Sequence, residues 1–353
     1  MSMQTIDLGT APTGAGGDNN RQANEKANAN FQELYEAKSA FDIYIPDTHR
    51  RAVEAATGGH CTVIYTAKGQ PSYFHVIPKF NCEDIAPGGE LGTGVHPAFK
   101  FGNDEPAEIF IGMYEMAEVN GEGVSQPMMP PRVSIRWTGS RSLIQACGPG
   151  FDMMTVWDWA AVALWSKANG FDVRGNTQYG RHHNNRWETG RRQDELAPGD
   201  TGGDALGNTL TGSGPNAWRH NNAPDGIADM VGNVWEWLLG SKTIDGRVYL
   251  APDNDIGAES TWLDTGFDPV AVNPWSSMDT TGANIALKQA LVAPNGALDP
   301  DGRFYINADG ERFPIRGGAR RGGSDSGAAA LNFYYTRTSA STVIGSRPRF
   351  RNL

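Results

Sequence analysis

The stretch that decides the fold is Asn222-Ala-Pro-Asp-Gly-Ile-Ala-Asp-Met-Val-Gly-Asn-Val-Trp-Glu-Trp237. Two shorter motifs follow it, Arg316-Gly-Gly-Ala-Arg320 and, near the end, Gly345-Ser-Arg347. Glycines, tryptophans and polar residues mixed in this way have neither the helical period of 3.6 nor the strand period of 2. The pattern indicates turns whose polar groups are buried among aromatic side chains.

The three motifs together resemble the C-type-lectin-like scaffold of the formylglycine-generating-enzyme superfamily. The resemblance implies an α+β fold for residues 42–353. In that superfamily the stretch ending at Trp237 is mainly architectural, with calcium sometimes bound nearby. Asp229, Asn233 and Glu236 have the oxygen ligands that calcium prefers, so both an architectural and a calcium-binding role remain open.

Bulk composition excludes several classes of protein. The 353 residues carry a net charge of -10, which does not favour nucleic-acid binding. No apolar run approaches the length of a membrane span, and no signal peptide is evident at the N-terminus. Three widely spaced cysteines, Cys61, Cys82 and Cys147, predict free thiols and synthesis in a cytoplasm.

Residues 1–41 form a distinct N-terminal segment. Asp18 is expected to cap a helix that runs to about Lys38. Its narrow apolar stripe consists of Ala23, Ala27, Phe31 and Leu34. A lone helix of this length is marginal in water, so the stripe predicts either self-association around an axis or packing on its own domain.

The same segment resembles the N-terminal attachment motif of phage tail-fibre proteins, on Ile6-Asp-Leu-Gly9 and Asn28-Ala-Asn-Phe-Gln-Glu-Leu-Tyr35. The resemblance implies a virion protein of the distal tail, docked to other tail proteins through residues 1–41 and assembled as a homotrimer.

Regular elements are predicted along the rest of the chain. Strands are expected at 41–45, 61–65, 73–77 and 106–115, a helix at 153–168, and a hairpin pairing 302–307 with 311–315. The strands at 61–65 and 73–77 are expected to form a hairpin. Residues from about 169 to 223 and from about 241 to 309 lack periodicity, and we interpret both as long loop insertions.

The cysteine pair and the histidine cluster that enzymes of this superfamily use for catalysis are missing from the sequence. Formylglycine-generating enzymes use a cysteine pair near the Arg-Gly-Gly motif, and no cysteine follows Cys147. The sulfoxide-synthase relatives need a histidine cluster, whereas His182-His183 has no visible third ligand. Carboxylates for glycoside cleavage stay open, because no spacing singles out a pair. We therefore expect no catalytic residue, no metal ligand and no cofactor, apart from the calcium alternative.

The C-terminal segment mixes small residues with tyrosines, as binding surfaces do. From Ser326 to Arg347 it resembles the variable region of the phage tropism determinants, lectin-fold receptor binders diversified by a retroelement. The resemblance implies these ligand-facing residues: Ala319, Arg321, Gly323, Asp325, Asn332, Tyr334, Tyr335, Ser339, Ser341, Val343 and Ile344. The first four are expected to alternate along one face of an extended segment.

The segment from residue 312 to 353 also holds eight arginines and one acid. They are interpreted as structural hydrogen-bond donors, with Arg316, Arg337 and Arg347 as the implied cases, or as a polyanion-binding patch. The overall prediction is a phage receptor-binding protein that recognises a bacterial surface protein or glycan. The alternatives are a structural tail component and an oxidoreductase of the superfamily named above.

Overall fold

The computed structural model describes residues 5–10, 13–202 and 206–351, with residues 35–45 described as backbone only. The chain divides into two compact units, Met1–Ala56 and Thr57–Leu353. It is a mixed helix-and-sheet protein, which confirms the α+β class. None of the described helices has both the length and the hydrophobicity needed to cross a bilayer.

The first unit is dominated by helix α1, Asn20–Ala56. Asn19 caps it, since Asn19 Oδ1 accepts from the Gln22 N–H at 2.9 Å and Gln22 Oε1 accepts from the Asn19 N–H at 3.0 Å. The predicted cap, Asp18, instead accepts from Lys26 Nζ at 2.7 Å. The cap prediction was therefore one residue early.

Helix α1 also extends well beyond the predicted end near residue 38. It includes residues 41–45, so the strand predicted there was wrong. Five residues of this kind fit a strand or a buried helical turn equally well, and only the flanking residues decide. The predicted domain boundary after residue 41 lies inside this helix.

The described residues of the second unit, 57–202 and 206–351, form fifteen strands and four helices. The strands are β1 (Cys61–Tyr65), β2 (Pro71–Pro78), β3 (Glu108–Gly112), β4 (Met116–Val119), β5 (Glu122–Ser125), β6 (Phe151–Met153), β7 (Trp235–Trp237), β8 (Ser241–Ile244), β9 (Arg247–Leu250), β10 (Leu263–Asp264), β11 (Phe304–Ile306), β12 (Glu311–Gly317), β13 (Gly327–Tyr335), β14 (Ile344–Ser346) and β15 (Pro348–Phe350). The helices are α2 (Cys82–Ile85), α3 (Trp137–Gln145), α4 (Val156–Ala168) and α5 (Ile285–Gln289).

A five-stranded antiparallel sheet has the order β1-β2-β3-β15-β6. The hairpin β1–β2 and strand β3 confirm three sequence predictions. Because β15 lies between β3 and β6, residues Pro348–Phe350 are held inside this sheet.

The larger sheet has the order β10-β9-β8-β12-β13-β11, and β7 joins β12 to β14. The predicted hairpin between 302–307 and 311–315 was wrong, because β13 lies between β11 and β12 and runs parallel to β11. The long, fully buried first part of β13 takes the central place. The turn at Gly310 instead bonds to Asp245, whose Oδ1 accepts from the Gly310 N–H at 2.9 Å.

The two predicted insertions differ. Within the described part of 169–223 the one regular element is a 3-10 turn at Asn216–Trp218, as expected for a loop. The region 241–309 was only partly a loop, since it supplies β8, β9, β10, α5 and β11. The strands β8 and β9 have four residues each and β10 has two, which is too short for hydrophobic periodicity to identify them.

Helix α4 confirms the helix predicted at 153–168 and lies at the centre of the second unit. Thr155 and Asp158 form a reciprocal cap in which each side chain accepts from the other's backbone N–H at 3.0 Å. Trp157 and Trp159 on this helix are fully buried. The helix is surrounded by core on nearly every side, which gives the sheets a fixed support.

Candidate functional site

The stretch ending at Trp237 and the C-terminal motif meet in a buried ion pair. Arg347 binds Glu236 through Nε to Oε2 at 2.9 Å and Nη2 to Oε1 at 2.6 Å. Both side chains are 0% exposed. Arg347 also donates to the carbonyl oxygens of Gly112 and Ala228 at 3.0 and 2.8 Å. The pair joins β7 to the segment between β14 and β15, so the predicted structural role of Arg347 is confirmed.

The other polar residues of the stretch satisfy neighbouring turns. Asn233 Nδ2 donates to Glu115 Oε2 at 2.6 Å, and Asp229 Oδ2 accepts from the Gly212 N–H at 2.6 Å. Asp229 and Asn233 have φ of 61° and 52°, a region that Asn and Asp tolerate best among residues with a Cβ. Burial, with the nearby Asp229 and Glu236 carboxyls, raises the pKa of Glu115 well above its usual range. These contacts favour an architectural role.

The calcium alternative depends on grouped acidic ligands. In the parts of the chain that the structure describes, no three His, Cys, Asp or Glu side chains are grouped as a metal site requires. Glu236 already holds Arg347, and Asn233 already binds Glu115. Calcium binding here stays a hypothesis.

Two further arginines also have structural partners. Arg316 is fully buried and donates through Nη2 to the Leu291 carbonyl oxygen at 2.6 Å; burial lowers its pKa to about 9. Arg337 holds Glu259 with two bonds of 2.8 and 2.7 Å and lies 4.3 Å above the ring of Phe313. These contacts favour structural hydrogen bonding over a polyanion patch for these arginines.

The predicted ligand-facing residues fall into two groups. Ala319, Asn332, Val343 and Ile344 are buried, so they do not present side chains to a ligand as the resemblance implied. Ala319, Val343 and Ile344 belong to a core cluster around Trp237, and Asn332 Oδ1 accepts from the Tyr334 N–H at 2.8 Å. The exposed or half-exposed residues are Arg321, Gly323, Asp325, Tyr334, Tyr335, Ser339 and Ser341.

The expected extended segment over residues 319–325 was also wrong. The chain makes a turn and then a 3-10 turn at Gly323–Asp325. Gly318 has φ of 90° and Gly323 of 55°, left-handed values that only glycine adopts easily. A Cβ on Gly318 would lie 2.2 Å from Ser326 Oγ, so this tight turn requires glycine.

An aromatic surface lies at the end of β13. Tyr334 is 55% exposed, and its ring centroid is 5.8 Å from that of half-exposed Tyr335. Tyr335 in turn lies edge-to-face with buried Trp237 at 6.3 Å. The parallel pairing of β11 with β13 places Tyr305 beside Asn332. A register shift in the pairing of β12 with β13 puts Asn332 and Tyr335 on the same side of the sheet, opposite Ile315 and Phe313. Tyr305 lies edge-to-face with half-exposed Trp235 at 6.1 Å. We call Trp235, Tyr305, Asp325, Tyr334 and Tyr335 the tip face.

Asp325 fixes one end of the tip face. Its carboxylate accepts from Tyr305 Oη at 2.9 Å, from Arg303 Nη1 at 3.0 Å and from Asn273 Nδ2 at 3.0 Å. Burial and the bond to Asp325 raise the pKa of Tyr305 to about 12. Because these three donors already bind its carboxylate, Asp325 serves mainly to order the tip face and not to contact a ligand.

Sequence reasoning missed Trp235 and Tyr305 as members of the tip face, and Arg303 as a partner of Asp325. Trp235 belongs to the stretch that the sequence assigns mainly to the scaffold, yet it is half exposed. The signal for Tyr305 was its alternation with buried Phe304 in a short strand, but the identity of the neighbouring strand was not visible.

The surroundings of the cysteines disfavour nucleophilic chemistry. All three cysteines are free and buried, which confirms the prediction of free thiols. Burial raises the pKa of Cys61 and Cys147 to about 12, and a thiol in that state is a poor nucleophile. His182 and His183 lie together with ring centroids 4.4 Å apart and form part of a cleft described below.

Comparison with known proteins finds no matching family model and no matching curated protein. Similar solved structures include the P3c and M1 variants of the Major Tropism Determinant, each 14% identical, with TM-scores of 0.32 and 0.33. These matches cover 79% of this chain and 62% of that chain, less than two thirds of its length. Treponema denticola variable protein 1 is 11% identical with a TM-score of 0.35, over 83% of this chain and 99% of that chain. The structural neighbours of this chain are thus Major Tropism Determinant variants and a Treponema denticola variable protein, all at low identity.

Proposed function

We propose that this chain is a phage tail receptor-binding protein with a C-type-lectin-like, formylglycine-generating-enzyme-like fold. Its tip face binds a protein or glycan of the bacterial surface. The observation that carries the proposal is the pair of exposed Tyr334 and half-exposed Tyr335 at the end of a buried strand. Tyrosine offers a large contact area and a polar hydroxyl at low entropic cost.

Preorganisation supports the proposal. Residues of β13 from Gly327 to Phe333 are buried, and Trp237 contacts Tyr335 from below. Arg337 ties the following loop to Glu259 and Glu311. A surface held in this way loses little entropy on binding.

The tip face and the loop after β13 also suit diversification, and we propose that a retroelement acts on their exposed positions. Tyr334 of the tip face and Ser339 and Ser341 of the loop are exposed or half-exposed, so a change there leaves the core intact. The neighbouring Arg316 and Arg347 are fully buried and would have to stay constant.

Residues 1–41 would attach the protein to other tail proteins of the virion and form a homotrimer. On α1, Phe31 is 62% and Leu34 66% exposed, while Ala23 and Ala27 are half-buried. An uncovered apolar stripe on a long helix is stabilised when copies pack together. The double substitution Phe31→Glu and Leu34→Glu should convert trimers to monomers in light scattering, whereas Asn28→Glu should not. Monomeric wild-type protein would contradict this part of the proposal.

The receptor-binding proposal is tested by changing both tyrosines. Tyr334→Ala with Tyr335→Ala should weaken binding of the purified protein to host cells about 100-fold, since aromatic anchors carry about 1–2 kcal/mol each. Leu263→Ala, which removes an equally exposed side chain from β10, is the matched control and should bind normally. Unchanged binding by the tyrosine variant, with its thermal unfolding also unchanged, would favour the structural tail component.

A further inference from the structure

A cleft of about 620 Å³ lies beside the tip face but contains none of its five residues. Its lining comes from the end of α4, from the loop 170–185, from 273–274 and 300–302, and from Ser324 and 326–328. Its volume is in the range of small-molecule sites. The cleft is next to the tip face through Ser324 and Ser326, on either side of Asp325, and through Asn273, whose Nδ2 donates to Asp325 at 3.0 Å.

The charged side chains of the cleft lining are Lys167, Asp172, Arg174 and Asp301, two of each sign. Arg174 is held by Glu188, which lies outside the lining, with Nε to Oε1 at 3.0 Å and Nη2 to Oε1 at 2.8 Å, and it also pairs with Asp172. Arg174 thus already engages two carboxylates, which leaves Lys167 and Asp301, of opposite sign, facing the cleft. This arrangement favours a ligand without net charge.

Two histidines supply hydrogen-bonding groups without charge. His182 Nδ1 accepts from the Asn185 N–H at 3.0 Å, which places the proton of the neutral ring on Nε2. His183 Nδ1 shares a hydrogen bond of 2.8 Å with Thr177 Oγ1. Burial lowers the pKa of both rings, so both are neutral at pH 7. Among the residues the structure describes, no hydrogen bond engages Nε2 of either ring, and Nε2 is left for a ligand.

Aromatic side chains lie inside the cleft and on the turn that follows its lining residues. Phe171 lines the cleft and is stacked on Trp165, with centroids 5.8 Å apart and planes 27° apart. Trp187 is two residues beyond the lining residue Asn185 and is 78% exposed. The turn is held by Glu188, whose N–H donates to the Asn185 carbonyl oxygen at 2.9 Å and whose Oε2 accepts from Trp218 Nε1 at 3.1 Å. Phe171 thus supplies apolar surface in the cleft, and Trp187 supplies it on the adjoining turn.

We propose that this cleft binds a neutral saccharide of one or two rings, without a metal ion. Hydroxyl groups would pair with His182, His183 and Asn185, and the apolar face of a sugar ring would lie on Phe171 or Trp187. Polyhydroxy ligands need neutral donors and acceptors next to a flat apolar surface, and the cleft supplies both. The site is additional to the tip face and does not depend on the proposed receptor contact.

The test uses the full chain in EDTA, titrated with glucose, galactose, mannose and N-acetylglucosamine while binding is followed by saturation-transfer NMR. At least one of these sugars should bind with Kd on the order of 1 mM. Ser324→Trp, which places a large side chain in the cleft from an exposed position, should weaken that binding at least tenfold. Thr338→Trp, exposed on the loop after β13, is the matched control and should leave it unchanged.

His183→Ala and Trp187→Ala should each weaken sugar binding severalfold, and the exposed Trp187 keeps this test valid if the histidine variant unfolds. The tyrosine variant of the tip face should bind sugar normally, so failure of the receptor proposal would leave this one standing. The proposal is overturned if none of the four sugars binds, if binding survives Ser324→Trp, if it needs calcium, or if inorganic phosphate displaces the sugar.

Discussion

Replacing Arg347 by methionine is expected to lower the free energy of unfolding by about 3–5 kcal/mol, the largest stability effect we expect in this chain. The guanidinium is 0% exposed and faces Glu236 at 2.6 Å. Its removal leaves that carboxylate buried without a partner, next to Glu115 and Asp229. Two carbonyl groups, of Gly112 and Ala228, also lose their donor. Urea denaturation of both proteins measures the difference.

Two controls separate the ion pair from a general loss of charge. Arg351→Met removes the half-exposed partner of exposed Asp104, at 3.3 Å, and should cost no more than about 1 kcal/mol. Adding Glu236→Gln to the Arg347 variant should recover part of the loss, because the unpaired buried charge is removed as well. A loss below about 1 kcal/mol for Arg347→Met would show that the buried pair does not hold β7 to the end of the chain.

Elements with strong local signals were predictable from the sequence. The helix α4 has a reciprocal cap at Thr155 and Asp158, and the apolar residues Met154, Trp157, Ala161, Leu164 and Trp165 recur at helical spacing. The strands β1 and β2 are separated by a short turn, so their pairing needs no distant information. Long-range pairing was not predictable in this way. β11 was expected beside β12 because they are close in sequence, yet β13 separates them.

The candidate site was predictable as a region, and its composition was not. The tyrosines at 334 and 335 are exposed or half-exposed, in agreement with the prediction for this segment. Val343 and Ile344 were carried over by position alone, and both pack into the core around Trp237. Tyr305 joins the surface through a parallel pairing with β13 that leaves no trace in its local sequence. Burial at a strand end depends on the neighbouring strand, which periodicity does not identify.

The error in the N-terminal segment has a different cause, which is local. The run at 41–45 lies inside α1, and Asn19 caps that helix in place of Asp18. Asp18 and Asn19 are equally good caps by residue type. The choice was decided by Gln22, which completes the reciprocal bond with Asn19.

The second prediction concerns the molecule that the tip face contacts during adsorption to a host cell. A photo-crosslinking amino acid at position 334 should join the protein to a component of the bacterial envelope when virions meet host cells. The control is the same amino acid at position 263, on β10. That strand lies four strand spacings from β13, about 19 Å, and its leucine is similarly exposed.

This crosslinking experiment tests the central claim most directly, because it reports contact and not stability. The account predicts an envelope crosslink from position 334, blocked by excess purified protein, and none from position 263. A crosslink from position 334 to another virion protein, with no envelope product, would contradict the claim that the tip face recognises the host.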